Sequence, residues 1–259
     1  MTAVNLIYSV AGLLVGVLVG LTGVGGGSLM TPLLVLVFGF HPTTAVGTDL
    51  LYAAATKTVG TTVHGWRGTV DWRVVRRLAI GSVPATILTL LALGYAIKNA
   101  EDVNRAINGV LGVTLTLTAI GTLFRARIVE RLRPRFAAMS ERRLVGLTVM
   151  LGVLLGVLVS LTSVGAGALG MTALLVLYPQ APISRLVGSD IAHAVPLTLL
   201  AGLGHWMLGS VDFGLLLSLL IGSVPGIIIG SLLATRTPDR VLSPILAAVL
   251  AIVGVRLLL

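Results

Sequence analysis

The ionisable residues that fall inside long apolar stretches of this sequence are Asp49, Lys57, Arg185, Asp190 and His193. A charge at the centre of a bilayer costs at least about 2.5–3.5 kcal/mol on insertion scales, so each such group needs a partner or a role in moving ions. Asp49 and Asp190 end two near-identical tetrapeptides, VGTD and VGSD. Either carboxylate can carry a proton or pair with Lys57 or Arg185. Equally, Thr48-Asp49 and Ser189-Asp190 can cap helices restarted after Gly47 and Gly188. Lys57 follows Asp49 by about two helical turns, on roughly the same face, so Asp49 or a substrate anion is its expected counter-charge. Snorkelling to the interface is the alternative for Lys57, and more so for Arg185, which sits close to a segment end. His193 lies one turn after Asp190 and is the better relay candidate, since imidazole titrates near neutral pH. Tyr52 replaces it in the first half of the chain. His64 and His205 are expected at the membrane interface, each bonded to backbone.

Two glycine-rich clusters supply the second kind of chemistry, GVGGGS at 23–28 and SVGAGA at 163–168. A backbone break at membrane depth is tolerated only where protein or a water-filled cavity surrounds it. The helix that restarts after such a break offers unpaired N–H groups and the positive end of its dipole, which suits an anion. The candidate substrate-binding set is therefore Thr22, Gly25, Gly26, Gly27 and Ser28 from the first cluster and Thr162, Ser163, Gly165 and Gly167 from the second, with Lys57 supplying charge. Asp49, Asp190, His193 and Arg185 form the candidate set for proton coupling or ion pairing. The competing reading is that these small residues only let helices pack closely. With no Cys, disulfides and thiol chemistry are excluded. No metal-ligand cluster, nucleophile with adjacent base, dinucleotide fingerprint or phosphate-binding loop is found, so a metal, a cofactor, an ATP-driven pump and an enzyme are not expected.

The elements that must position these groups follow from composition. Of 259 residues, 56% are hydrophobic and 10% charged, and the mean hydropathy is +1.06; about 25% charged is usual in a soluble domain. Apolar runs of membrane-spanning length recur along the chain. The first begins near Met1, but Leu6 to Leu21 lacks a preceding basic stretch and a cleavage site, and is read as a mature helix. The segments run at about 4–21, 29–40, 43–64, 76–97 and 104–124, and again at about 144–162, 168–178, 184–206, 213–234 and 241–259. Pro42 and Pro182 punctuate both sets after the short segment. The net charge of +9 sits in short loops, where it reports topology and calls for no nucleic-acid partner.

The two sets are copies. GVLVGLTGVGGGSL from Gly16 reappears as GVLVSLTSVGAGAL from Gly156, VGTD as VGSD, and IGSVP ends at both Pro84 and Pro225. His64 pairs with His205 and Asp71 with Asp212. The expected organisation is a first membrane repeat at 1–124, a basic cytoplasmic linker at 125–143 and a second repeat at 144–259. Arg67, Arg73, Arg76 and Arg77 in one link, and the arginines of the central linker, are expected on the cytoplasmic side. The counterpart of the first link, around Leu208 to Asp212, has no Lys or Arg, which favours inverted repeats. Counting the short segments as crossings gives ten and inversion; counting each broken pair as one gives eight and parallel repeats. The expected fold is an all-α integral membrane bundle of 8 to 10 segments, with broken helices at the midplane.

The glycine breaks, the VGTD and VGSD segments and the doubled IGSVP together resemble the TauE/SafE family of sulfite and sulfonate exporters, also grouped as the 4-toluene sulfonate uptake permeases. The stretch GLTGVGGGSLMTPLLVL through AVGTDLLYAA carries the resemblance most strongly, and it extends over essentially the whole chain. It implies a multi-pass transporter of the bacterial inner membrane, moving sulfur-containing anions or related small organic acids down an ion gradient. The family's glycine motif lands on Gly23, Gly25, Gly26, Gly27, Thr31 and Pro32, and its Gly-Thr-Asp segment on Gly47, Thr48 and Asp49. The second copy departs at Ala166, Met171 and Thr172. The expected function is secondary transport of a small anion, with the lipid bilayer as surroundings; a homodimer is compatible with the sequence, but no residue demands one. An anion channel and a non-transporting membrane scaffold are the alternatives.

Overall fold

The computed structural model describes residues 4–22, 27–66, 68–96, 100–137, 139–165, 167–234 and 239–258. These form eleven helices: α1 (Leu6–Thr22), α2 (Gly27–Leu36), α3 (Pro42–Trp66), α4 (Trp72–Ala96), α5 (Ala100–Leu123), α6 (Arg125–Ala137), α7 (Glu141–Thr162), α8 (Ala168–Leu177), α9 (Ile183–Met207), α10 (Phe213–Ala234) and α11 (Asp239–Leu258). No strand occurs among the described residues. Five stretches, Trp72–Ala96, Glu101–Leu123, Glu141–Thr162, Ile183–Met207 and Phe213–Gly230, are long and apolar enough to cross a membrane. At 25 residues α3 is just as long, but Asp49, Lys57 and several threonines make it more polar, and it lies in the interior against α2, α9 and α10.

Polarity is arranged opposite to that of a soluble domain. Leu6, Ile7, Leu14, Ile80, Leu88, Leu91 and Ile252 face outward, whereas Thr48, Asp49, Thr118, Ser160, Ser189, His193, His205, Ser218 and Ser223 are buried. In water such a surface would drive aggregation; against lipid tails it costs nothing, and the interior polar groups find partners only inside the bundle. The helices are held by close backbone approach at glycine, as expected where lipid removes the hydrophobic drive between helices. A Cβ on Gly12 or Gly16 of α1 would strike the carbonyls of Leu219 or Ser223 on α10. A Cβ on Gly152 or Gly156 of α7 would strike those of Leu78 or Ser82 on α4. These are the same positions of the two copies, so the α1–α10 and α7–α4 crossings are counterparts. The other two major pairings, α3 with α9 and α5 with α11, join counterpart helices to each other, the latter at Gly112 and Gly254.

Each broken pair turns back on itself. Tyr8, near the start of α1, packs edge-on against Phe38 and Phe40, beyond the end of α2, with ring centroids 5.1 and 5.6 Å apart. In the second copy Thr148, near the start of α7, shares a 2.8 Å hydrogen bond with Tyr178, at the end of α8. The short helices thus return to the side from which the long ones came.

Several boundaries differ from the sequence reading. The linker at 125–143 contains a 13-residue helix, α6, whose Ile128, Val129, Leu132 and Phe136 are half-buried while Arg127, Arg131 and Arg135 are exposed. Helix α4 begins at Trp72, so Arg73, Arg76 and Arg77 lie in its opening turns; Arg77 pairs with Glu141 and donates to Tyr178 Oη at 3.3 Å. Helices run straight through Gly47 and Gly188, which removes the capping reading of Asp49 and Asp190. Close packing is the use of both glycines: a Cβ would meet the carbonyl of Ser210 at one and of Thr69 at the other. Beside them, Thr48 Oγ1 accepts from Asp212 N at 3.1 Å and Ser189 Oγ accepts from Asp71 N at 2.8 Å. The hydroxyls therefore satisfy the chain ahead of α10 and α4, one helix of each copy reaching into the other. Finally, α2 and α8 are both ten residues long. Their ends pair Thr31 with Thr172, which places the extra residue of the second copy ahead of Ala168 and makes Thr172 no departure.

Candidate functional site

The second glycine break is described almost completely. Helix α7 ends at Ser163, whose φ of 59° is left-handed, and Gly165 follows with φ 124°, a region open in practice to glycine. The N–H groups of Gly167 and Gly170 donate to the Gly165 carbonyl, and that of Met171 to the Gly167 carbonyl. The start of α8 therefore offers a ligand at most the N–H groups of Ala168 and Leu169. Thr162 does not act as a free hydroxyl donor: its Oγ1 donates to Leu158 O at 2.6 Å and accepts from Val164 N at 3.1 Å, tying the break to itself. Ser163 is buried, stands beside Asp49, and has no hydrogen-bond partner for its Oγ among the described residues. Gly25 and Gly26 lie outside the described residues, as do the side chains of Thr22, Gly27 and Ser28, whose backbones end α1 and open α2.

Around this break α3 and α9 bring the ionisable residues together. Asp49 is fully buried and its Oδ2 accepts from Thr31 Oγ1 at 2.5 Å; Oδ1 has no hydrogen-bond partner among the described residues. Asp190, on α9, is nearly as buried, and its Oδ1 packs so closely on α8 that a Cβ at Gly170 would lie 2.7 Å away. Lys57 interacts electrostatically with Asp190, Asp49 and His193. Its charge therefore acts on carboxylates of both copies. His193 is fully buried, with Nε2 2.8 Å from Ser82 Oγ on α4. In the other copy Tyr52 stands near Ser223 of α10, so the serines of the two IGSVP segments face the same two positions.

Arg185 is not in this cluster: it is exposed in the first turn of α9. A different arginine approaches Asp190, namely Arg125 from the start of α6, whose Nε donates to Thr172 Oγ1 at 3.3 Å. His205 is fully buried rather than interfacial, its Nε2 2.9 Å from Ser160 O, where it ties α9 to α7; the side chain of His64 lies outside the described residues. No group of three or more metal-ligating side chains occurs among the described residues.

Sequence reasoning passed over Arg125, Ser82 and the pairing of Thr31 with Asp49. Arg125 was hidden among the topogenic arginines of the linker. The doubled IGSVP was a visible signal for Ser82, but its use as a marker of repetition says nothing about what the serine touches.

The site thus gathers two carboxylates, one ammonium, one guanidinium and the His193 imidazole, in an interior built mainly from apolar and hydroxyl side chains. The family model described as sulfite exporter TauE/SafE matches residues 8–257. The chain belongs to this family. Among curated relatives, the probable membrane transporter protein YjnA of Bacillus subtilis (strain 168) is 42% identical over 248 residues, covering 95% of this chain and 97% of that protein. The probable membrane transporter protein YdhB of the same organism is 28% identical over 260 residues, covering 95% and 96%. A probable membrane transporter protein of Xylella fastidiosa (strain 9a5c) is 29% identical over 245 residues, covering 91% and 87%. No solved structure matches the chain. With the lipid-facing surface above, this TauE/SafE member is a multi-pass membrane protein of a transporter family.

Proposed function

We propose that this protein is a secondary transporter that carries a small sulfur oxyanion, sulfite or a sulfonate, together with a proton across the bacterial inner membrane. The observation that carries the reading is that the charge of Lys57 acts on both Asp49 and Asp190, one buried carboxylate from each copy, the first bonded to Thr31 of α2 and the second packed on Gly170 of α8. With both carboxylates ionised, the formal charges of Asp49, Asp190, Lys57 and Arg125 cancel. A monovalent anion entering this low-dielectric interior leaves an uncompensated negative charge, which is expensive at effective dielectric constants well below that of water. A proton on Asp49 or Asp190 restores neutrality and frees Lys57 for the substrate. Coupling follows from that charge balance.

The substrate's size class follows from the donors available. One ammonium, the Ser163 hydroxyl and the N–H groups of Ala168 and Leu169 fit a compact group of three or four oxygens. The family is named for sulfite export, and sulfite has these features.

Inverted repeats complete the reading. Because each broken pair turns back, α3, α4 and α5 decide the parity of one copy, and an odd number inverts the next. The α1–α10 and α7–α4 crossings are then related by an axis in the membrane plane, and the paired helices α3 and α9 lie on it. Such an arrangement permits the same site to face either side by rocking of one copy against the other. Each half then comprises five membrane segments, with the second of each half short and returning.

Labelled sulfite uptake into proteoliposomes, with sulfate and methanesulfonate as competitors, tests the proposal. Saturable flux inhibited by methanesulfonate supports it. A conductance far above carrier turnover would instead identify a channel, and no flux of any oxyanion under either gradient would overturn the transport reading.

A further inference from the structure

Arg125 is set apart from the other basic residues of α6. Arg127 lies over the Phe124 ring, 5.7 Å from its centroid, and is exposed. Arg133 donates to the Pro179 carbonyl at 2.9 Å, which fixes α6 against the end of α8. Arg131 and Arg135 are exposed. Arg125, at the corner where α6 leaves α5, is half-buried and turned toward α8 and α9.

Its partner Thr172 gives the arrangement its meaning. Thr172 Oγ1 donates to Ala168 O at 2.7 Å, so toward Arg125 it can only accept. Its counterpart Thr31 donates directly to the Asp49 carboxylate. The same hydroxyl thus serves a carboxylate in one copy and a guanidinium in the other, and the charge of that guanidinium acts on Asp190. A guanidinium carries five N–H donors in a planar fork that matches two oxygens of a carboxylate or of a sulfur oxyanion equally well. A substrate anion on that fork leaves the local charge unchanged when Asp190 takes a proton. The basic linker places this corner on the cytoplasmic side of the cluster.

We propose that Arg125 and Thr172 form a second anion station on the cytoplasmic side of the central site, holding the small oxyanion on its way to or from Lys57. This deepens the transport reading above and rests on it for the direction of passage. It assigns a binding role to a residue of the linker between the two copies, and makes the two faces of the transporter unequal.

The test compares wild type with Arg125→Gln, Arg125→Lys and Thr172→Val, using labelled methanesulfonate in right-side-out and inside-out membrane vesicles. Arg125→Gln is expected to raise the half-saturation concentration about 10-fold or more when substrate is offered from the cytoplasmic face, the loss of a charged hydrogen-bond donor. The same variant is expected to stay within about 2-fold at the external face, where Arg125 is not met first. Arg125→Lys should recover part of the loss, and Thr172→Val should shift the same face less. An equal shift at both faces, or a fall in maximal rate at constant half-saturation, would show that Arg125 only pins α6. Calorimetric titration of purified protein with methanesulfonate supplies a readout without transport. Weakened binding in Arg125→Gln supports the station, and unchanged binding overturns it. Wild-type protein without saturable flux would sink the transport reading while the titration still decides the station.

Discussion

The helix crossings give a prediction that can be worked from geometry alone. At Gly222 on α10 an added methyl group would overlap the Ser9 carbonyl oxygen and lie 2.7 Å from its carbon and 2.8 Å from Leu13 N, both on α1. Attractive contacts between heavy atoms begin near 3.5–4.0 Å, so α1 and α10 must part by roughly 1 Å to admit it. The atoms met are backbone and cannot rotate away. Overpacking of this kind costs about 1–3 kcal/mol, and in a chain of this size each kcal/mol lowers the melting temperature by about 2–4 °C. Gly222→Ala should therefore melt roughly 2–12 °C below wild type in the same detergent. Gly146, in α7, and Gly109, in α5, are helical with nothing near an added methyl. There Ala should be neutral or stabilising by up to about 1 kcal/mol, because glycine is the poorer helix former. Thermal unfolding followed by circular dichroism or tryptophan fluorescence reads all three variants. Equal melting temperatures for Gly222→Ala and Gly146→Ala would refute the crossing at Gly222.

Three further predictions concern the site and the topology. Lys57→Met should reduce saturable anion flux at least about 100-fold, since it leaves two buried carboxylates and removes the charge that offsets them; flux within 3-fold of wild type, measured with labelled sulfite, would remove Lys57 from the site. Asp49→Asn should abolish the response of flux to an imposed pH gradient while leaving exchange of anion for anion, and a retained pH response would exclude Asp49 as the coupling group. Trp66 and Met207 hold equivalent places at the ends of α3 and α9 and are both 85% exposed. In this Cys-free chain, Trp66→Cys and Met207→Cys should react with an impermeant thiol reagent from opposite sides of the membrane, and labelling of both from one side would contradict inversion.

Much of this architecture was legible because lipid imposes simple rules on sequence. Runs of apolar residues located the long helices to within a few residues, and the duplication was visible in matched Gly, Asp and Pro. Contacts between elements were less legible. Nothing in VGTD tells that Gly47 lies inside α3 against the Ser210 carbonyl, because close packing and a chain break both call for glycine. A one-residue insertion in the second copy ahead of α8 shifted the register of the short helix, and only its observed ends restore Thr172 to the place of Thr31. Thr162 looked like a ligand donor, yet a hydroxyl in a dry interior bonds to its own preceding turn when nothing better is near. For Arg185 closeness to a segment end was the better guide of its two readings, since it is exposed in the first turn of α9. Arg125 was not legible because a linker that folds back as α6 gives no sign in sequence of which of its arginines turns inward to Thr172.

The central claim is that an anion and a proton move together through the cluster of Asp49, Lys57 and Asp190. Methanesulfonate keeps its single negative charge across the working pH range, so its movement in proteoliposomes tests this most directly. The account predicts accumulation driven by a pH gradient, acidic on the side of supply, at a rate that does not respond to membrane potential because one proton cancels one anion. Accumulation that follows membrane potential and ignores the pH gradient would contradict it.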